Sequence, residues 1–319
     1  MTLTRELLIG GKSTPAANGR TTADLNPVTG EVFATVAAAE VQDVTAAVDA
    51  AQDRFEAWAE LSPVARREIF LAAAEVMTRR SDEAVALIGA ETGALSMSAR
   101  FNAHRSADIF RELAASMTAP RGEVLASHEP GTMSLAAQVP MGVVAGLAPW
   151  NAPLILGVRA AAAPLAAGNT VVLKPSEEAP LMSGLFIADV LREAGLPDGV
   201  LNVVTNDPAD APAIVETLIA DSRVRAVNFT GSSKVGSVIG ALAGKYLKPA
   251  VLELGGKNAV IVLEDADIDY AVAATAFASF SNAGQVYVLR PDPGARRARG
   301  GIHREIPREG GHAAHRDAR

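Results

Sequence analysis

From about residue 140 onward, short apolar runs alternate with longer stretches that suit a helix. Val143–Ala148 is an apolar run cut off by Pro-Trp-Asn and predicts a strand. Leu154–Ala167, stopped by Gly168-Asn169, predicts a helix, and the β-branched Thr170–Leu173 a strand. Pro180–Ala194 predicts a helix closed by Gly195, with Pro197 just beyond. Further strands are expected at Leu201–Thr205, Val224–Phe229, Val251–Leu254 and Ala259–Leu263, and helices at Ala209–Ala220, Lys234–Ala243 and Ile268–Ser281. Strand and helix alternating at this spacing predict βαβ units around a parallel sheet, an α/β fold. Ligands of such folds bind at the carboxyl ends of the strands, so chemistry is expected in the loops after Ala148, Leu173 and Phe229.

Before residue 120 the periodicity is helical, at Val44–Trp58, Pro63–Arg80 and Ala99–Met117, with Ser62-Pro63 as a helix start. Gly122–Pro140 breaks this pattern and predicts two strands joined by a turn at His128–Gly131. Such a projecting hairpin cannot bury itself, and it is expected to pair with something else, such as another subunit.

Composition narrows the function classes. The 319 residues suit two domains, and 49% hydrophobic with 20% charged residues excludes disorder for the whole chain. A net charge of −7 argues against nucleic-acid and anionic-membrane partners. Arg5 and Glu6 precede only a short apolar run, so no signal peptide is expected. The longest apolar window, Leu154–Ala167, contains Arg159 and is too short to span a bilayer, so a cytoplasmic protein is expected. Cysteine is absent, which excludes disulfides, thiolate metal sites and a cysteine nucleophile.

Charge is distributed unevenly. Residues 290–319 hold eight Arg and four acids, and they lack Leu, Val, Phe, Tyr and Trp altogether. Three readings fit: an Arg-rich nucleic-acid arm, a disordered tail, or a GC-rich gene translated out of frame. His312 and His315 fall in this segment, and no metal site is expected from them.

Generic nucleotide and hydrolase motifs are missing. There is no G-x-G-x-x-G, G-x-S-x-G or H-E-x-x-H, and the P-loop-like Gly231–Gly236 continues with Ser237-Val238 where Lys-Ser/Thr is required. Four other stretches carry a resemblance: Ala148-Pro-Trp-Asn-Ala-Pro153, Leu173-Lys-Pro-Ser-Glu177, Asn228-Phe-Thr-Gly-Ser232 and Leu252-Glu-Leu-Gly-Gly-Lys-Asn-Ala259. In this order and spacing the chain resembles the NAD(P)-dependent aldehyde dehydrogenase superfamily over roughly residues 5 to 285. Gly122–Asn151 looks most like the branch acting on aromatic aldehydes such as salicylaldehyde, benzaldehyde or vanillin.

The resemblance implies a Rossmann-like parallel sheet with a projecting β-hairpin and an incomplete catalytic domain. It implies a dinucleotide-binding domain over 1–250 with an oligomerisation hairpin at 119–140, the start of the catalytic domain at 251–289, and an aberrant, disordered tail at 290–319. Two catalytic residues are implied. Asn151 would donate its amide to the developing oxyanion, and Glu253, flanked by Leu252 and Leu254, would be the general base. Lys174 and Glu177 would hold the adenosine ribose, where a carboxylate favours NAD over NADP, and Ser176 is counted among the cofactor-binding residues. Thr230, Gly231, Ser232, Val235 and Gly236 would form the pyrophosphate site at a helix N-terminus, with Pro149, Trp150, Leu254 and Gly255 completing the cofactor cleft. Simpler roles stay open: a turn asparagine at 151, a helix-start signal at Ser176/Glu177, a tight turn at Gly231 and an ion pair at Glu253. An aldehyde is the implied substrate, and a homodimer or homotetramer the implied assembly.

The pattern then breaks. The family places its nucleophilic cysteine in a G-Q-x-C phrase about 34 residues past the glutamate, and here Asn282-Ala-Gly-Gln-Val leads to Tyr287 at that position. A phenol of pKa about 10 is a poor replacement for a thiolate. The missing cysteine and the foreign tail begin at one place, and a frameshift explains both, which selects the out-of-frame reading. The chain as given is then expected to be inactive. The alternatives are a non-catalytic dinucleotide-binding or interaction protein, and a short-chain reductase. The reductase fails, because Tyr287 has Pro291 where a Tyr-x-x-x-Lys pair needs lysine. Sequencing the gene around codon 286 is expected to recover a cysteine codon and a family-like continuation in another reading frame. The absence of a cysteine codon and of a family-like continuation from both other reading frames would overturn the frameshift.

Overall fold

The computed structural model describes residues 3–119, 122–256 and 259–286. The chain forms two compact units, Met1–Gly255 and Gly256–Arg319. Tyr287 and the Arg-rich tail at 290–319, with His312 and His315, lie outside the described residues.

The first unit opens with five short strands, β1 (Leu3–Arg5), β2 (Leu7–Ile9), β3 (Lys12–Thr14), β4 (Thr21–Leu25) and β5 (Val32–Ala37). Four helices follow, α1 (Val41–Glu60), α2 (Pro63–Arg79), α3 (Ser81–Thr92) and α4 (Ser96–Ser116). The hairpin is β6 (Gly122–Leu125) with β7 (Ser134–Ala137). The alternating part runs β8 (Val143–Leu147), α5 (Pro153–Ala166), β9 (Thr170–Lys174), α6 (Phe186–Glu193), β10 (Leu201–Val203), α7 (Ala211–Ala220), β11 (Val224–Gly231), α8 (Ser233–Lys245) and β12 (Ala250–Leu254). The second unit contains α9 (Ile268–Phe280), capped by the Asp267 carboxylate, which accepts the Tyr270 N–H at 3.0 Å.

A seven-stranded sheet in the order β12-β11-β8-β9-β10-β2-β3 forms the centre of the first unit. The five strands from β12 to β10 are parallel, as expected, while β2 and β3 add an antiparallel edge. Successive residues of the central strands feed opposite faces. Val144, Val171 and Leu173 enter one core with α2, α4, α5 and α6, while Val143, Ala145 and Val172 enter the other with α1 and α7. Burial on both faces explains why these strands are continuous apolar runs rather than alternating ones.

Several expected elements changed. Ala259–Leu263 is not a strand: a strand needs a partner ladder, and the second unit contains no other among its described residues. The helix expected from Pro180 starts as a single π-turn over Leu181–Leu185 before α6. Helix α3 and strands β1–β5 had no strong periodic signal, because each is short and held by tertiary partners. The hairpin at Gly122–Leu125 and Ser134–Ala137 is antiparallel, and Val124, Leu135 and Val139 beside it are exposed.

One close approach fixes the turn after β9. At Gly157, in the middle of α5, an added Cβ would lie 2.5 Å from both the Ser183 carbonyl oxygen and Ile187 Cδ1. Backbone cannot yield as a flexible side chain can, so α5 packs on the π-turn only through glycine. Gly157→Ala is expected to lower stability by roughly 2–3 kcal/mol, read from the urea midpoint. An unchanged midpoint would show that the two segments can separate freely.

Candidate functional site

The strand register brings the sequence-predicted residues to one side of the sheet. Leu147 of β8 is paired with Lys174 of β9 on one side and with Phe229 of β11 on the other, and Thr230 and Gly231 are paired with Glu253 and Leu254 of β12. Lys174 and Gly231 therefore end the strands flanking β8, two strand spacings or about 10 Å apart. Pro149, Trp150 and Asn151 leave β8 between them, and α5 begins at Pro153. Trp150 is exposed, while Pro149 and Asn151 are half-buried. The Ala148 N–H donates to the Lys174 carbonyl at 3.1 Å, carrying the ladder past the strand end.

The loop after β9 is built around a buried charge. Lys174 Nζ donates to the Pro175 carbonyl at 3.1 Å and to the Glu177 carboxylate, while Asn206 Nδ2 donates to the same carboxylate at 3.0 Å. Burial pushes the Lys174 amine below its ordinary value, outweighing the pull of Glu177. Burial pushes Glu177 upward, but attraction to Lys174 and the hydrogen bonds from Lys174 and Asn206 prevail, holding its carboxyl below the usual range. Ser176 turns inward: its Oγ accepts the Glu178 N–H at 3.3 Å, and its own N–H donates to Ser183 Oγ at 3.1 Å.

Sequence reasoning missed two supports of this loop. Asn206 lies in a different loop, and only the fold brings it to Glu177. Glu91, near the end of α3, accepts the Leu181 and Met182 N–H groups at 2.7 and 3.0 Å, capping the π-turn. Burial, then the neighbouring Asp24, raises the Glu91 carboxyl well above its ordinary value. Asp24 is itself pushed up to about 7 by burial, with a hydrogen bond from Glu91 opposing and the charge of Glu178 adding to the rise. The available signal was position, because a carboxylate near a helix C-terminus opposes the macrodipole unless it works elsewhere.

After β11 the chain turns into α8 through Thr230-Gly231-Ser232. Ser232 is the N-cap, its Oγ accepting the Val235 N–H at 3.2 Å. The N–H groups of Ser233 and Lys234 have no acceptor within the helix and point from its positive end, an arrangement suited to an anion. Gly231 was expected to admit a ligand close to the backbone. Glycine serves packing here as well, because an added Cβ would lie 2.4 Å from Phe229 Cζ. Gly236 serves packing as well, since a Cβ there would meet Leu254 Cδ2 at 2.3 Å. Val235 is exposed beside it, and Thr230 is buried.

Glu253 departs from its expected surroundings. Leu252 and Leu254 pack inward while Glu253 is exposed, so its apolar neighbours in sequence do not enclose it. The reason is the two-residue alternation of a strand combined with position, since β12 is the last strand of the sheet among the described residues. Gly255 continues the ladder, its N–H donating to the Gly231 carbonyl at 3.1 Å. No cluster of metal-ligating side chains occurs among the described residues.

Comparison with known proteins gives a consistent result. A family model described as "Aldehyde dehydrogenase family" matches residues 14–288. Vanillin dehydrogenase of Pseudomonas fluorescens is 53% identical over 280 residues, which is 88% of this chain and 58% of that protein. Salicylaldehyde dehydrogenase of Pseudomonas putida is 40% identical, over 88% of this chain and 58% of that one. The crystal structure of a salicylaldehyde dehydrogenase from Pseudomonas putida G7 complexed with salicylaldehyde superposes with a TM-score of 0.87 at 38% identity, covering 89% of this chain and 59% of that one. An NAD-dependent benzaldehyde dehydrogenase from Corynebacterium glutamicum gives 0.84 at 33% identity, covering 90% and 62%. The chain thus spans 58% of the length of these curated relatives.

Glu177→Gln would leave the buried Lys174 without its carboxylate and is expected to lower stability by roughly 2 kcal/mol near neutral pH. Because the folded Glu177 carboxyl lies below its ordinary 4.5, its contribution is present above that value and lost as pH falls through the folded one. The wild-type advantage in urea unfolding should therefore shrink below about pH 4. An advantage that does not change with pH would show that the pair does not carry it.

Proposed function

The chain belongs to the aldehyde dehydrogenase family, and from that premise we propose that the enzyme it represents oxidises an aromatic aldehyde to the carboxylate with NAD. The observation supporting this most directly is the meeting of Pro149–Asn151, Lys174–Glu177, Thr230–Ser232 and Glu253–Gly255 at the carboxyl ends of β8, β9, β11 and β12. The similarity to vanillin and salicylaldehyde dehydrogenases supports the aromatic class.

The residues present suit a dinucleotide. The amino end of α8, capped by Ser232, offers backbone N–H groups to a pyrophosphate. Glu177, held ionised by Lys174 and Asn206, presents negative charge where a ribose would lie and disfavours a 2′-phosphate, hence NAD over NADP. Bound there, NAD would supply the acceptor for the hydride removed from the aldehyde carbon. Asn151 donates an amide N–H toward the substrate oxygen as negative charge develops, and Glu253 takes a proton from the attacking water. We further propose that the hairpin pairs with a second copy and that the protein works in the cytoplasm.

The chain as given has no cysteine to attack the aldehyde. That absence favours a second reading for this polypeptide, a non-catalytic dinucleotide-binding protein. With benzaldehyde, vanillin, salicylaldehyde and hexanal, the purified chain is expected to form no NADH, while binding NAD at least about tenfold more tightly than NADP, or ~1.4 kcal/mol. Steady NADH production would show that position 287 was never the nucleophile's place. Equal affinity for NAD and NADP would remove Glu177 from the ribose site.

A further inference from the structure

At the amino ends of β11 and β12 a cavity of about 410 Å³ is lined by Met141, Val224, Arg225, Tyr246, Leu247 and Lys248, among others. It lies at the opposite end of β11 from Gly231, about 23 Å away at 3.3 Å per residue, and does not depend on the proposed reaction. Three backbone irregularities converge on it. Val224 pairs with Val143 and Ala226 with Val144, so Arg225 is the extra residue of a β-bulge. Bulges re-aim a side chain out of the ladder. Gly142 has a φ of +135°, and a Cβ there would lie 2.7 Å from Arg225 Cγ, so the arginine stem is seated across its backbone. Asn169 Oδ1 holds that backbone by accepting the Met141 and Gly142 N–H groups at 2.6 and 3.2 Å. Leu247 follows α8 in the left-handed region at φ +54° and is 92% exposed. Its N–H and that of Lys248 donate to the Gly244 and Ala243 carbonyls at 3.2 and 2.9 Å, a helix ending that normally uses glycine.

The charges in the cavity are not balanced from within. The Arg225 side chain makes no ion pair or hydrogen bond among the described residues. Lys248 Nζ donates to the Asp221 backbone carbonyl, and the Asp221 carboxylate is taken up by Arg223 at 2.7 and 2.9 Å. Burial lowers the Lys248 amine below its ordinary value, and Arg225 lowers it further against the pull of Asp221. Two cations thus share one cavity whose other walls are mostly apolar, from Met141, Ala220, Val224, Leu247 and Pro249, with Ser222 and Tyr246 adding two hydroxyl groups.

We propose that this cavity binds a small organic carboxylate, held by Arg225 and Lys248 with its apolar body against Met141, Val224 and Leu247. The planar guanidinium suits a carboxylate's two oxygens. A strongly hydrated inorganic anion would leave the apolar walls against water, which is why an organic body is required. Calorimetric titration of the full chain with sodium benzoate tests this, with benzyl alcohol and inorganic phosphate as probes of charge and apolar body. Saturable binding of one benzoate is expected, with phosphate weaker and benzyl alcohol without detectable heat. Arg225→Gln and Lys248→Gln are each expected to weaken benzoate binding by about tenfold or more, the worth of a charge-assisted hydrogen bond. The Arg225 guanidinium enters no ion pair among the described residues, and glutamine keeps the part of the stem packed on Gly142, so Arg225→Gln decides the matter if Lys248→Gln melts early. The proposal is overturned if benzoate does not saturate, if it binds Arg225→Gln as tightly as the parent, or if phosphate binds as tightly as benzoate.

Discussion

Every residue of β8 and β9 is buried, and their apolar side chains alternate between one core under α1 and α7 and another under α4, α5 and α6. Backbone polar groups in these strands are consumed by the ladder, so the chain can present them to a ligand only where it leaves the sheet. That constraint collects Asn151, Lys174, Gly231 and Glu253 at one end, because parallel strands all leave on the same side. It also separates the proposed carboxylate cavity from them by the length of β11.

Holding the strand-end loops in place requires charges to be buried with partners. Lys174 is buried against Glu177, and Asn206 steadies the carboxylate from a neighbouring loop. One layer further in, Glu91 caps the π-turn from a helix ninety residues earlier, next to Asp24. Such pairs contribute little net stability against a packed apolar alternative, but losing one partner strands the other. Their effect is geometric, since they fix the loop between β9 and α6, and Gly157 brings α5 against the same turn.

Family membership and the residues present pull in different directions. The strand ends carry the family's phrases in order, yet the polypeptide has no cysteine, and Glu253 stands exposed on the last strand of the sheet among the described residues. Gly231 and Gly236 also serve packing within the chain. The first makes room for the ring of Phe229 and the second for Leu254. Both approaches shape the β11–α8 turn, whose helix start suits a phosphate regardless of which atoms demanded the glycines.

The sequence by itself determined the alternation of strands and helices from Val143 to Leu254, because buried parallel strands and their crossover helices leave apolar runs broken by Gly, Pro and Asn. It also determined the motif positions, the missing cysteine and the projecting hairpin. Strands β1 to β5 and helix α3 were not legible, since three- to six-residue strands gain their stability from partners far away in the chain. The same limit hid Asn206 and Glu91, whose roles depend on loops meeting across 29 and 90 residues. Ala259–Leu263 failed in the opposite way, with an apolar pattern fit for a strand but no neighbouring ladder to join. Tertiary structure alone decided that Glu253 faces outward and that a bulge aims Arg225 into a cavity. Side-chain direction in a sheet follows from register and from which strand lies at the edge, and neither is a local property of sequence.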